Sequence, residues 1–294
     1  MAVALHRMEH GPLHSAELSR QAALCFKEGR LVRFVLTSDA NETTSTGMLC
    51  GEFSVANGRK VSFSKGNLQY DVVDSSWSFA DHQWTYIGTA NLSNGNLANV
   101  IDLFGWATGS CPTMIDGKSN NYYRGSHDMG STEDWGSALG ENGFWRTLSK
   151  DEWSYLLSSR ANASQLKAVG RVAGTLGLIL LPDNWSSLAT LSGEASFSAE
   201  EWKPLQQKGA VFLPAAGYRQ NLSNGQTILN AGDWGCYWTT KFYLENMAYA
   251  LLFKVDTIVL GYSFLSSSTQ YIYRKHGLSV RLVHQHTTSK FPVR

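Results

Sequence analysis

Apolar and polar positions along this chain alternate over short distances and rarely sustain a helical period. Lys60 to Ser64 alternates with period two, as a strand with one buried face does. Runs of strand length also occur at Trp77 to Ala80, Trp84 to Ile87, Leu178 to Pro182, Gly209 to Pro214, Ala248 to Phe253 and Leu278 to Val283. Residues 91–143 are rich in Gly, Ser and Asn and predict mostly loop. One helix start is well marked. Ser149 and Glu152 form a capping box, followed by an apolar stripe of Trp153, Leu156 and Leu157. A second box, Ser198 with Glu201, opens toward Trp202, and Pro204 limits it to a short or kinked helix.

The first 47 residues differ from the rest. Ser15 to Gly29 reads as a helix with Ser15 as its N-cap and Gly29 as its stop, and Leu31 to Leu36 as a strand. The polar stretch from Ser38 to Gly47 has the composition of a linker. The pattern therefore divides the chain into an N-terminal appendage and linker (1–47) and a main domain (48–294). Few helices and many short strands make that domain α+β.

Composition narrows the function. All 10 Trp lie in the main domain, and 27 Gly accompany them, which suits a fold of tight turns around large flat side chains. Twenty-five basic residues against 24 acidic leave a net charge of +1 with no basic run, so nucleic acid is not an expected partner. The nearest approach to a bilayer-spanning run is Leu176 to Pro182, far too short, so membrane insertion is not expected either. The first residues lack the continuous apolar stretch of a secretory signal. Cys25, Cys50, Cys111 and Cys236 form no CxxC or Cys/His pattern; buried thiols are the favoured reading, with two disulfides as the alternative.

Several blocks carry a family resemblance over roughly residues 50–284. Phe144 to Trp153 (FWRTLSKDEW) resembles the helix entry of formylglycine-generating-enzyme-like domains, a branch of the C-type-lectin fold. Gly277 to Val283 (GLSVRLV) is similar to the closing strand of that group. Ala210 to Arg219, Gly235 to Thr240, Ser64 to Tyr70 and Ile101 to Trp106 resemble blocks of a subgroup found in gut Bacteroidales and their phages. That subgroup includes the variable proteins of diversity-generating retroelements, whose C-terminal segment is rewritten at adenines of a template repeat. The resemblance implies a C-type-lectin-like fold and a variable region over 239–276. It also implies a protein or glycan ligand on a cell surface, and display on a virion or on a cell. Lys241 and Glu245 do not arise from an Asn codon by adenine changes at its first two positions, so either other codons vary or these two are framework.

An oxidase of the formylglycine-generating type needs two neighbouring cysteines near the C-terminus, whereas Cys236 stands alone there. His82, His127 and His276 are scattered, and the His284/His286 pair lies beyond the closing strand, so no metal centre or other cofactor is expected. Asp128, Glu133 and Asp134 lie in a polar loop that reads as solvated, with Ca²⁺ as the alternative. Tyr249, Leu251 and Phe253 alternate as one buried face of a strand. The residues around that strand are dense in Tyr, Ser and mixed charge, as adaptable binding surfaces are. The candidate ligand-binding set is Lys241, Phe242, Tyr243, Glu245, Asn246, Tyr262, Phe264, Tyr271, Tyr273, Lys275 and His276, with no catalytic residue among them. The expected function is recognition by a non-enzymatic protein. A surface protein of the same family without diversification, and an oxidase, are the alternatives.

Overall fold

The computed structural model describes residues 22–27, 30–36, 47–114, 126–139, 144–185, 195–222, 225–261 and 272–286. The N-terminal segment differs from the expected helix. Ala22–Lys27 is a strand, antiparallel to Arg30–Leu36, with Lys27 opposite Arg30 and Leu24 opposite Phe34. The second element is the expected strand, but the first is not the expected helix. The two apolar runs sit close enough in sequence to pair, and cross-strand pairing overrides a weak helical preference.

The remainder is α+β, as its pattern predicts, with strands far outnumbering helical turns. Four small sheets make the frame. Lys167–Val172, Thr175–Leu180 and Val211–Pro214 form successive antiparallel strands, with Ser196–Phe197 added in parallel on the outer side of the first. Phe53–Ala56, Arg59–Phe63 and Val283–Gln285 make a second sheet, and Ser76–Phe79, Leu68–Asp71 and Val100–Ile101 a third. The fourth, Gly235–Leu244, Met247–Lys254 and Thr257–Gly261, carries the region of interest.

That fourth sheet is buried on both sides at its base. Leu251 and Phe253 pack into a cluster with Phe53, Phe63, Trp153 and Leu156. Ala248, Ala250 and Leu252, pointing the other way, join Trp106, Trp135, Trp145 and Trp238. The period-two run at 248–253 is therefore apolar on both faces because both faces meet core. Gly235 is required where the strand starts, since a Cβ there would lie 1.9 Å from the Phe253 ring. Tyr249, on the same face as Leu251, is only half-buried, because it lies past the edge of the core.

Both capping boxes form. Ser149 Oγ accepts the Glu152 amide at 3.2 Å and Glu152 Oε2 accepts the Ser149 amide at 2.9 Å. The Ser198/Glu201 box opens a helix of nine residues, Ala199–Gln207, that contains Pro204. Burial alone would raise the Glu152 carboxyl. The Arg146 guanidinium, bidentate at 2.8 Å, more than offsets this and holds it below the usual carboxylate range. Trp145 and Trp153, bracketing the helix start, are both buried.

Two strand expectations are not met. Trp84 to Ile87 turns instead: Thr85 donates to the His82 carbonyl at 3.1 Å, and the His82 and Trp84 rings stack at 4.7 Å. Leu278 to Val283 is extended but forms a ladder only from Val283 onward. Upstream, each residue bonds a different neighbour. Leu278 exchanges bonds with Phe104, Ser279 with Cys236 and Trp238, and the Val280 and Leu282 carbonyls accept from Leu68 and Ser64. The segment threads between sheets, its alternation set by Leu278, Val280 and Leu282 entering the tryptophan-rich core.

Candidate functional site

The Gly235–Leu244 strand changes character along its length. Gly235 to Thr239 is fully buried, whereas Thr240 to Tyr243 is half-exposed and Leu244 is 51% exposed. The pairing register shifts twice, between Trp238 and Phe242 and between Phe242 and Leu244. One hydroxyl stitches the first irregularity. Thr239 Oγ1 accepts the Lys241 amide at 3.1 Å and donates to the Tyr249 carbonyl at 2.9 Å. A bulge re-aims the side chains beyond it, and here it turns the hairpin end out of the core.

The 126–130 loop supports that hairpin end from outside. Met129 donates its amide to the Thr240 carbonyl at 2.8 Å. The Asp128 carboxylate accepts the Lys241 ammonium at 3.1 Å and the Phe242 amide at 3.3 Å. Among the described residues, no group of three or more His, Cys, Asp or Glu is arranged to hold a metal ion.

From the other side the turn is held by Arg274. Leu244 pairs with Met247, leaving Glu245 and Asn246 as the turn residues. The Arg274 side chain donates to the Leu244 and Met247 carbonyls, each at 3.1 Å, and its amide to the Asn246 carbonyl at 2.9 Å. Its guanidinium lies 4.6 Å from the Trp106 ring centroid and 6.0 Å from that of Phe242. A planar cation with several donors can stack and bond carbonyls at once, which an ammonium cannot.

The candidates are thereby sorted onto two faces of the hairpin. Phe242 packs toward the tryptophan-rich core beside Lys241 and Arg274. Tyr243 meets Tyr249 edge-on at 5.2 Å on the other face, where the Lys150 ammonium stands 4.7 Å over the Tyr249 ring. Tyr273, bridged to Met247, and Lys275 lie alongside, the Lys275 ammonium 5.7 Å from the Tyr273 ring. Glu245 and Leu244 are the exposed tip.

Of the sequence-selected set, Lys241, Phe242, Tyr243, Glu245, Asn246, Tyr273 and Lys275 gather at this hairpin end and present at least part of their surface. Tyr262, Phe264 and Tyr271 lie outside the described residues. His276 departs from the expectation of a solvent-facing side chain: it is 4% exposed, and its Nδ1 accepts the Asn221 amide at 3.2 Å. Burial, reinforced by the Lys275 and Arg219 charges, pushes its pKa down to about 3, so the ring is neutral. Sequence reasoning missed Asp128, Lys150 and Arg274 as parts of the site. Arg274 lay in plain view beside Lys275, but nothing local says that it points inward. Asp128 and Lys150 arrive from distant segments.

Compared with protein-family models, curated proteins and solved structures, this chain matches none.

The thiol nearest the hairpin end is shielded from solvent. Cys236 is fully buried, and burial raises its thiol far above the ordinary range. A nucleophile needs the thiolate, which this environment opposes.

Proposed function

We propose that this protein is a non-enzymatic recognition protein that binds a protein or glycan ligand of a cell surface. Its recognition surface is the end of the Gly235–Leu244/Met247–Lys254 hairpin with the adjoining Tyr273–His276 turn. The observation that carries this reading is the separation of backbone from side chains. The backbone of residues 239–249 is tied down by Thr239, Asp128 and Arg274. The side chains of Lys241, Tyr243, Leu244, Glu245 and Tyr249 meanwhile reach solvent. A rigid loop that displays interchangeable aromatic and charged groups is what adaptable paratopes use, since Tyr gives large contact area at low entropic cost.

On this reading the scaffold is a C-type-lectin-like fold of the formylglycine-generating-enzyme type, and the hairpin end is the diversified part of a retroelement variable protein. The small strand-rich sheets, the burial of Trp145, Leu148 and Trp153 in the first block and the burial of Gly277 to Val283 agree with that. Within the 239–276 region, Thr239, Ala248, Ala250 and Leu251 to Phe253 are fully buried framework. Diversification would fall on 241–246 and on partly exposed positions such as Tyr273 and Lys275. The inaccessible Cys236 thiol weighs against an oxidase.

Two measurements test this. The neighbouring DNA should hold a reverse-transcriptase gene and a template repeat that differs from this gene at adenines. The purified chain should bind cells or a glycan array in a manner lost when Tyr243, Leu244 and Tyr249 are changed to Ser. Retention of all binding by that folded variant would remove the hairpin end as the site.

A further inference from the structure

His276 lies under the recognition surface, at the end of the turn that carries Arg274, and its docking depends on one acceptor. Nδ1 takes the Asn221 amide hydrogen, so the proton of the neutral ring is on Nε2. The same junction is closed by Asn221 Nδ2 donating to the Lys275 carbonyl at 2.7 Å, and by Arg219 and Gly277 exchanging backbone bonds at 2.8 Å. At the other end of this four-residue turn, Arg274 holds the hairpin carbonyls of Leu244 and Met247. The turn thus fastens the hairpin end to the Tyr218–Leu222 strand.

We propose that the Tyr273–His276 turn is an acid-released clamp on the recognition surface: protonating His276 undocks the turn from Asn221 and loosens the hold of Arg274 on the hairpin. The functional consequence rests on the recognition reading above; the structural one does not.

Protonation at Nδ1 would set an N–H against the Asn221 N–H, exchanging an attraction for a repulsion. The groups facing the ring make this worse. Arg219 is a buried cation paired, among the described residues, with no carboxylate; its Nη1 bonds the Asn221 and Gln226 side chains instead. Lys275 adds a second positive charge beside the ring. Tyr218 and Tyr273 complete the cage, at ring separations of 6.0 and 5.5 Å. With no carboxylate paired to this cluster among the described residues, an imidazolium fits only when the turn has opened and water can solvate it.

The sign follows. The docked ring titrates near 3 and an opened one near its ordinary 6.5, so acid favours the open state below about 6.5. If the open ring is unperturbed, the opening constant rises about 25-fold between pH 7 and pH 5.

Hydrogen exchange of the full chain at both pH values, corrected for intrinsic exchange rates, measures this without any ligand. The Asn221 and Arg274 amides should show about the 25-fold rise, while core amides such as Leu252 rise far less. In His276→Asn, whose Oδ1 can replace Nδ1 as acceptor, the rise at those two amides should vanish. An unchanged opening constant in the wild type, or an equal rise at core amides, overturns the clamp. Should the variant not fold, ring NMR of the wild type still decides: a His276 imidazole titrating near 6.5 in the folded protein overturns it. The recognition reading fails separately, through hairpin variants that keep their binding.

Discussion

The Thr239 hydroxyl donates to the Tyr249 carbonyl across the hairpin at 2.9 Å while accepting the Lys241 amide at 3.1 Å on its own strand. Thr239 is fully buried, while its two partners belong to half-exposed residues. Thr239→Val keeps the shape and deletes both bonds, which should cost about 1–3 kcal/mol of stability. Thr239→Ser should recover most of that. Chemical denaturation of the two variants checks the claim, and equal stability of Val and wild type would show that the bulge holds itself.

Truncation beyond that stitch should behave differently. Leu244 is 51% exposed and Tyr243 half-exposed. Leu244→Ser and Tyr243→Ser should each change stability by no more than about 0.5 kcal/mol, as surface positions do. Phe242, packed against the tryptophan-rich core and Arg274, should cost more when cut to Ala, on the order of 1–2 kcal/mol. Thermal unfolding that ranks these three otherwise would place the display face on the wrong side of the hairpin.

Trp153 tests the frame itself. It is 1% exposed, lies 5.8 Å from the Phe63 ring and shares a cluster with Leu251 and Phe253 of the hairpin sheet. Trp153→Ala should destabilise by roughly 3–5 kcal/mol. A loss below about 1 kcal/mol in chemical denaturation would mean that the capped helix does not anchor that sheet.

How much of this was legible beforehand depended on whether the cause was local. The Ser149/Glu152 box is written in four consecutive residues, and it formed as expected. So did the apolar strand at 248–253, although the alternation of Tyr249, Leu251 and Phe253 concealed that its other face is buried too. Ala22–Lys27 was misread because its helical spacing is weak, and its partner strand decides the matter. Trp84 to Ile87 was misread because a stacked His–Trp pair and a turn look like an apolar run. His276 was grouped with its exposed neighbours because no local pattern announces that Asn221, 55 positions away, supplies its partner. Non-local hydrogen bonds of this kind leave no period in a sequence.

Cys236 should be chemically silent in the folded protein. Burial raises its pKa and removes it from solvent, and both slow attack on an alkylating reagent. Iodoacetamide at neutral pH should label Cys50 and Cys111, which are partly accessible, while Cys236 reacts only after unfolding. Rapid native labelling of Cys236, followed by mass spectrometry, would contradict the packing described.

Asp102 predicts a pH dependence opposite to that of His276. It is fully buried, accepting the Asn91 side-chain amide at 2.7 Å and the Ile87 amide at 2.8 Å. Burial dominates these bonds and lifts its pKa from 3.8 to about 6. A raised carboxyl pKa means that the folded state holds the proton more tightly than the unfolded one. Its contribution to stability is therefore full below about 3.8 and is lost as pH rises toward 6. Above that it costs on the order of 3 kcal/mol relative to the protonated form. His276 works the other way, losing stability as pH falls from 6.5 toward 3. The two slopes oppose each other between pH 3.8 and 6. Replacing His276 by Asn should leave the Asp102 slope exposed. Relative to wild type, the variant should then gain about 1.4 kcal/mol for each pH unit below 6.5. Denaturation at pH 7, 6 and 5 reads this directly, with the Asp102 carboxyl followed by NMR for a midpoint near 6. Parallel pH profiles for variant and wild type would show that His276 shares its proton equally between the folded and unfolded states.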